Sequence, residues 1–497
     1  MTRDCENLPL ALYSAQQVRE LDAKLIAAGT PGFELMSRAA HAIWRVLRRR
    51  WSDAGAITVL AGHGNNGGDG YLIAALALRS GWQVSVLAVG DASQLQGDAA
   101  LARDEAVAAG VRIEPWSAQS ALSGVVVDAM LGTGLRDNVR APYADAIAQI
   151  NQAQLPVLAV DLPSGVSADT GQVLGCAVRA DVSVTLIGLK LGLLTGAALD
   201  CVGELLFDDL QADERIVAAH PARAQRLAAN NVPLLGARPK NVHKGQLGHV
   251  LVLGGDRGFA GAALLAAQSA LRSGAGLVSL ATRSEHVAPA QARIPEVMTL
   301  GVASANQLMA LVKQASVMVV GPGLGQSAWS RSMLSLAASG PDAQVWDADA
   351  LNMLATGSVK LPAGAIITPH PGEAARLLGV SIGEVQADRA AATQALAKRF
   401  ACVCVLKGAG TLVGAADGRL RVCDRGHPVM AGAGLGDVLA GLTGALLAQG
   451  LAPFEAASLA VWLHACAGEM LAVEGRGLAA SDLCAAIRQL MQELSGV

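Results

Sequence analysis

The sequence predicts an α/β protein of two domains, an N-terminal Rossmann-like doubly wound parallel sheet followed by a second α/β layered domain. Three observations predict it. Short, nearly uninterrupted apolar runs alternate with helical patterns through both halves, the alternation breaks once in a polar stretch, and several runs end in glycine-rich turns. Near-continuous hydrophobic strands belong in a parallel sheet covered on both faces.

The elements follow in order. Ser14 with Gln17 forms a capping-box pattern that opens a first helix, Gly29 ends it, and Pro31 precedes a second. Strands are predicted at 57–62, 84–90, 125–131, 157–165 and 180–188. Between 208 and 239 the pattern gives way to a polar stretch rich in alanine, arginine and asparagine, which sets domains at 1–220 and 238–497 with a linker at 221–237. Strands resume at 249–255, 277–282, 317–323, 344–350, 365–373 and 402–411. No internal repeat relates the halves, so they read as two different enzymes fused.

Composition narrows the class. A chain of 497 residues that is 52% hydrophobic and 16% charged has ample core for two domains. A net charge of −3 provides no basic footprint, which argues against nucleic acid or an anionic membrane as partner. Asp4 and Glu6 stand where a secretory signal would need an apolar run, so a cytoplasmic protein is expected. The longest charge-free stretch, between Asp437 and Glu455, contains glycines and Pro453 and reads as a buried helix, not a membrane span. The eight cysteines form no CxxC pair, and Cys402 and Cys404 read as reduced core thiols.

In the first half, the turn between Gly62 and Gly70 reads GHGNNGGDG and opens a helix. Glycines there let main chain approach an anion, while Asn65, Asn66 and Asp69 offer oxygens and amides. A purely structural turn suits the bare pattern about as well. Asp128 closes a strand before GTGLRDN, and Asp161 closes another before LPSG. Either aspartate alone could be a helix cap, but three oxygen-bearing strand ends of one parallel sheet converge on one site.

These motifs, in order and with an LMSRAA helix before them and KLGL after, resemble the YjeF-type N-terminal domain, the NAD(P)H-hydrate epimerase family, over about 14–210. The resemblance implies a potassium ion held by oxygens of Asn66, Asp128 and Ser164, a shell suited to a hard cation. It implies a hydrated nicotinamide nucleotide lying on Asn65, Asn66, Gly67, Gly68 and Asp69 and on Gly132, Thr133, Gly134, Leu135, Arg136, Asp137 and Asn138. Tyr143 would be near, with Asp161 at the reacting ring. Epimerising C6 of that ring asks a carboxylate to move a proton and steady positive charge, a task for Asp161 with Asp69 as helper. Lys190 matches a family lysine but reads as a surface lysine near the site.

In the second half, GHPVMAGAGLGD precedes an apolar helix. Glycines at a helix N-terminus leave N–H groups for phosphate charge, and Asp437 on the same turn fits either a general base or a helix cap. KGAGT, from Lys407 through Gly408, Ala409 and Gly410 to Thr411, is a cradle for phosphate or adenylate, and TPHPGE sets His370 on a proline-flanked strand end.

With KGQLGHVLVLGG, GPGLGQ and DADALN, these resemble the C-terminal domain of the bifunctional NAD(P)H-hydrate repair enzymes, over about 238–483. The resemblance implies a ribokinase-like fold that uses ADP or ATP to phosphorylate the C6 hydroxyl of the S epimer and then eliminates phosphate. By position, Ala262, Gly323 and His370 contact the hydrated nucleotide, Lys407, Gly408, Ala409, Gly410, Thr411 and Gly436 hold the adenine nucleotide, and Asp437 takes the hydroxyl proton. Mg2+ is implied, with Glu373 as a ligand. His427, Val429, Ala433 and Leu435 depart from the family pattern and leave Gly434, Gly436 and Asp437 in place. A homo-oligomer is expected. Two other readings are a vitamin-precursor kinase of the same fold and a first domain that only binds ligand.

Overall fold

The computed structural model describes residues 7–494, so Asp4 and Glu6 lie outside the described residues. The chain forms two compact units, Met1–Gln225 and Arg226–Val497.

In the first unit seven parallel strands lie in the order Ile113–Pro115, Gln83–Ala88, Ala56–Ala61, Val125–Ala129, Val157–Val160, Val182–Leu186 and Glu204–Asp208. Successive residues of the central strands face opposite ways, as a pleated strand requires. Val59 and Val127 join a core with Ile43 and Ile73, while Leu60 and Val126 join another with Ile147 and Ile150. Both faces are therefore covered. Strand order reverses between Ala56–Ala61 and Val125–Ala129, so the turns after these two strands border one crevice.

In the second unit the parallel strands run Met298–Gly301, Leu277–Thr282, His249–Leu253, Val317–Val320, Gln344–Trp346, Ile366–Ile367 and Val403–Leu406, and Thr411–Ala415 and Leu420–Cys423 extend the edge antiparallel. The switch falls between His249–Leu253 and Val317–Val320, which brings the start of the helix Ala260–Arg272, with Ala262, beside the turn carrying Gly323. Two expected strands are shorter. The run at 365–373 is strand only at Ile366–Ile367, because His370 caps a helix beginning at Pro371. The run at 402–411 ends at Leu406 and turns back, Gly408 and Gly410 taking φ of +127° and +64°.

The stretch from Asp437 to Glu455 spans the helix Leu435–Ala448 and the start of Pro453–Leu471. The apolar segment Pro453–Glu474 is long enough to cross a membrane, but 67% of an apolar 18-residue stretch within it is buried, the signature of a core helix. Cys402 and Cys404 are buried, and burial pushes the Cys402 thiol up to about 12.

Candidate active sites

The helix Asn65–Arg79 starts directly after the turn that follows Ala56–Ala61, with Gly64 at its N-cap. Asn65, Asn66 and Asp69 line a cleft of about 900 Å³ together with Gly132 to Asn138, Tyr143 and Asp161. Gly67 and Gly68 do not line it. In helical conformation they point inward: an added Cβ would lie 2.1 Å from Gly62 O at Gly67 and 2.7 Å from Met36 Sδ at Gly68. These glycines serve packing. Gly64 and Gly134 have open space instead. Tyr143 Oη hydrogen-bonds His63 Nδ1 at 2.7 Å, and Arg19 donates to Thr133 O at 3.3 Å, steadying the 132–138 loop.

Asp161 sits at the strand end with φ +66°, a left-handed conformation that a non-glycine residue adopts only when its surroundings hold it there. Its Oδ1 accepts from Leu186 N at 3.1 Å, from Thr185 Oγ1 at 3.3 Å and from Lys190 Nζ. Lys190 is 1% exposed, so the reading of it as a surface lysine is wrong. Strand pairing of Tyr13 with Lys190 buries its stem, and Leu186 O takes a second Nζ hydrogen at 2.9 Å.

Asp69 makes no hydrogen bond among the described residues, and burial, then the charges of Asp161 and Asp22, hold its carboxyl well above the usual range. Asp22, on the helix Ala15–Ala27, lines the same cleft; burial raises it to about 6 while Lys190 opposes. Its Oδ1 is buried without a partner. At this end of the cleft Asp22, Asp69 and Asp161 share the charge of the buried Lys190 ammonium.

Behind the cleft, Asp128 and Ser164 are fully buried and bonded to each other. Ser164 Oγ donates to Asp128 Oδ1 at 2.6 Å and Ser164 N to Oδ2 at 2.8 Å, while Leu131 N donates to Ser164 Oγ at 2.8 Å. Burial raises Asp128 to about 6, and no cationic side chain among the described residues pairs with it. Asn66, beside Gly132, is 8% exposed and its amide nitrogen has no partner. Amide oxygen and nitrogen are assigned only through hydrogen bonding, so the unpartnered end can equally be an oxygen. An uncompensated buried carboxylate next to buried neutral oxygens suits a monovalent cation.

In the second unit Gly434, with φ +84°, is the N-cap of Leu435–Ala448. Asp437 is therefore inside the first turn and makes no hydrogen bond among the described residues, which removes the helix-cap reading. Burial, then the charge of Asp347, raise it to about 7, and Lys407 opposes. Lys407 Nζ lies 2.7 Å from Asp347 Oδ1 and 4.0 Å from Glu373 Oε2. An added Cβ on Gly436 would lie 3.2 Å from Lys407 Nζ, so the KGAGT turn and the helix N-terminus meet. Gly323, with φ +57°, packs so closely that its Cβ would lie 2.4 Å from Phe259 O and 3.1 Å from Ala262 Cβ.

His370 caps its helix: Nδ1 accepts from Gly372 N at 3.0 Å, which leaves the ring hydrogen on Nε2 when neutral. Burial and Lys407 push its pKa down. Glu373 Oε2 accepts from His370 N at 2.8 Å, and Oε1 lies 3.4 Å from His370 Nε2. No group of three or more His, Cys, Asp or Glu is arranged to hold a metal ion among the described residues. These residues fit a magnesium that arrives on phosphates and keeps its waters, taking at most one oxygen from Glu373.

Residues 250–489 match the family described as NAD(P)H-hydrate dehydratase, and residues 32–192 match the YjeF-related protein N-terminus. A bifunctional NAD(P)H-hydrate repair enzyme of Coxiella burnetii is 45% identical over 484 residues, 97% of this chain and 99% of the relative. The chain belongs to the bifunctional NAD(P)H-hydrate repair enzymes. The Escherichia coli relative is 40% identical, covering 99% of this chain and 96% of its own. A ribokinase-like superfamily protein from Enterococcus faecalis superposes with a TM-score of 0.52 at 28% identity, covering 55% of this chain and 98% of that one. As a member of the family, the chain is an enzyme with an epimerase and a dehydratase domain.

In this repair enzyme, sequence reasoning missed Asp22 and Asp347. Asp22 stands in an amphipathic helix as one polar residue among many, and only tertiary packing brings it to the cleft. Asp347 lies in the DADALN motif, whose position at a strand end in line with Asp128 and Asp161 was the available signal.

Proposed function

We propose that the first unit interconverts the R and S epimers of hydrated NADH and NADPH, and that the second converts the S form back to NAD(P)H at the expense of ADP or ATP. The observation that carries this is the placement of Asn65, Asn66, the 132–138 loop, Asp161 and Lys190 around one cleft. Asp161, ion-paired with Lys190, is the base for the C6 hydroxyl or ring proton, and Asp69, whose carboxyl burial holds well above the usual range, is the matching acid. The R form so becomes available to a dehydratase that takes only S. Asn66, Asp128 and Ser164 would hold K+, whose charge would compensate Asp128 and stiffen the loop that follows it.

In the second unit Asp437 takes the proton of the C6 hydroxyl as that oxygen accepts a phosphoryl group from the nucleotide. The N–H groups at Gly436 and the Lys407 ammonium receive the developing phosphate charge. Loss of phosphate from C6 and of a proton from C5 then restores the ring double bond. Mg2+, held on the nucleotide with Glu373 beside it, would neutralise phosphate charge. The same reading places the enzyme in the reducing cytoplasm, which the seven free cysteines among the described residues support, and has it act as a homo-oligomer.

The test supplies each epimer of hydrated NADH with ADP or ATP and follows recovery of NADH absorbance, in K+ and in Li+. Recovery from S with nucleotide, and from R only when K+ is present, is expected. Phosphorylation of a vitamin precursor with no NADH recovery would replace this reading with the kinase. Unchanged R consumption by D161N would leave the first unit a binding module.

A further inference from the structure

We propose that Asp347 is a positioning residue of the dehydratase site, fixing the Lys407 ammonium beneath the N-terminal turn of Leu435–Ala448 and imposing its own negative charge on Asp437. The inference rests on Asp437 being the general base.

Asp347 is built to stay where it is. Its N–H donates to Val320 O at 3.0 Å, and Ala348 after it takes φ +49°, turning the chain sharply into the helix Asp349–Ala355. An added Cβ on Gly321 would lie 1.8 Å from Asp347 O, so the neighbouring turn clamps its main chain. The carboxylate is 2% exposed, and Oδ1 accepts from Thr368 Oγ1 at 2.8 Å as well as from Lys407. Oδ2 faces the same helix turn as the ammonium: an added Cβ on Gly436 would lie 3.6 Å from Oδ2 and 3.2 Å from Lys407 Nζ. The ion pair therefore sits directly below the turn that receives phosphate charge. Simple burial of an ion pair is weak evidence for stability, which makes a functional reason for this one more pressing.

The charges around Asp437 come from every side. Asp347 and Asp349 are carried on the strand end and the helix after it, Lys407 on the neighbouring strand end, and Glu373 on the helix Pro371–Leu378 beside Lys407. His464 of Pro453–Leu471 donates to Leu435 O at 3.0 Å and is pushed down to about 4, so it is neutral. The packed helix Ala260–Arg272 brings only Arg272, at its far end, and Asp482 caps Ala479 N at 3.0 Å. Removing the charge of Asp347 takes a like charge from Asp437 and frees Lys407 to pair with it. Both changes favour the ionised base, so they act in the same direction.

The experiment measures kcat/KM for the S epimer against pH, and KM for the nucleotide, in the full-length wild type, D347N and D347E. NADH recovery by wild type establishes the reaction; its absence would sink the function, not this inference. In D347N the acid limb is expected to move down by about one pH unit and nucleotide KM to rise roughly tenfold. A limb that stays or moves up overturns the proposal. Should D347N fail to fold, D347E carries the test. It keeps the charge but displaces it, so its limb should stay within about 0.3 units while KM rises, and an unchanged KM overturns the proposal.

Discussion

Lys190 Nζ and Asp161 Oδ1 form an ion pair in which the lysine is 1% exposed and the carboxylate 16%, so this carboxylate of the cleft is held from inside the protein. Removing Lys190 strands a largely desolvated carboxylate. K190M is expected to lower R-epimer consumption by roughly 100-fold or more, while S-epimer conversion continues. It should also cost about 2–4 kcal/mol, somewhat less than the roughly 3–5 kcal/mol of a fully buried pair because Asp161 keeps some water. Epimer-resolved chromatography and urea denaturation check the two effects. Loss of both epimer activities together would count against the division of labour.

Much of this pair was legible in advance and part was not. Asp161 announces itself because a strand of four apolar residues runs into Asp-Leu-Pro-Ser-Gly, and strand ends of a parallel sheet share one rim. Lys190 carries no such mark, since its burial depends on the pairing of Tyr13, almost 180 residues away, with the segment Leu189–Lys190. The short edge strands Ile113–Pro115 and Met298–Gly301 escaped for a similar reason: they are partly exposed, so they lack the continuous apolar run that marks a central strand. Conversely, the apolar runs overstate strand length where turn residues follow, as at Thr368 to Glu373, because hydrophobicity does not say where the main chain stops pairing.

Asp22 is expected to make the epimerase domain less stable above pH 6. Its folded pKa of about 6 exceeds the unfolded value, so its protonated form is the one that folding favours. Stability is full below about pH 4, falls as pH rises to 6, and stays reduced above it. D22N should thus gain about 1–3 kcal/mol at pH 8 and nothing at pH 4. Chemical denaturation of wild type and variant at the two pH values measures this. Equal gains at both would show that the charge is irrelevant.

For the dehydratase, burial and Asp347 place the Asp437 carboxyl near 7. The base acts ionised, so kcat/KM for the S epimer is expected to rise with pH through about 7 and level off above it. D437N should lose roughly 100- to 10,000-fold and show no such rise. A pH series from 5.5 to 8.5 under first-order conditions, roughly three units across that midpoint, decides it. An acid limb that survives in D437N would assign the base elsewhere.

Two glycines of the first unit separate packing from recognition. At Gly67 an added methyl would lie 2.1 Å from Gly62 O, closer than real contacts allow, and that oxygen belongs to backbone that cannot yield without moving the strand end. G67A should therefore destabilise the chain by roughly 2 kcal/mol or more, since overpacking against main chain has no cheap relaxation. Gly134 meets nothing within 4 Å, so a methyl there has room. G134A should melt within about 1–2 °C of wild type, as expected of surface substitutions. If the 132–138 loop carries the nucleotide by its main chain, G134A should nonetheless raise KM for the R epimer severalfold. Melting curves with epimerase kinetics on the two variants give opposite patterns under this assignment, and a G134A enzyme with unaltered KM would move the nucleotide off that loop.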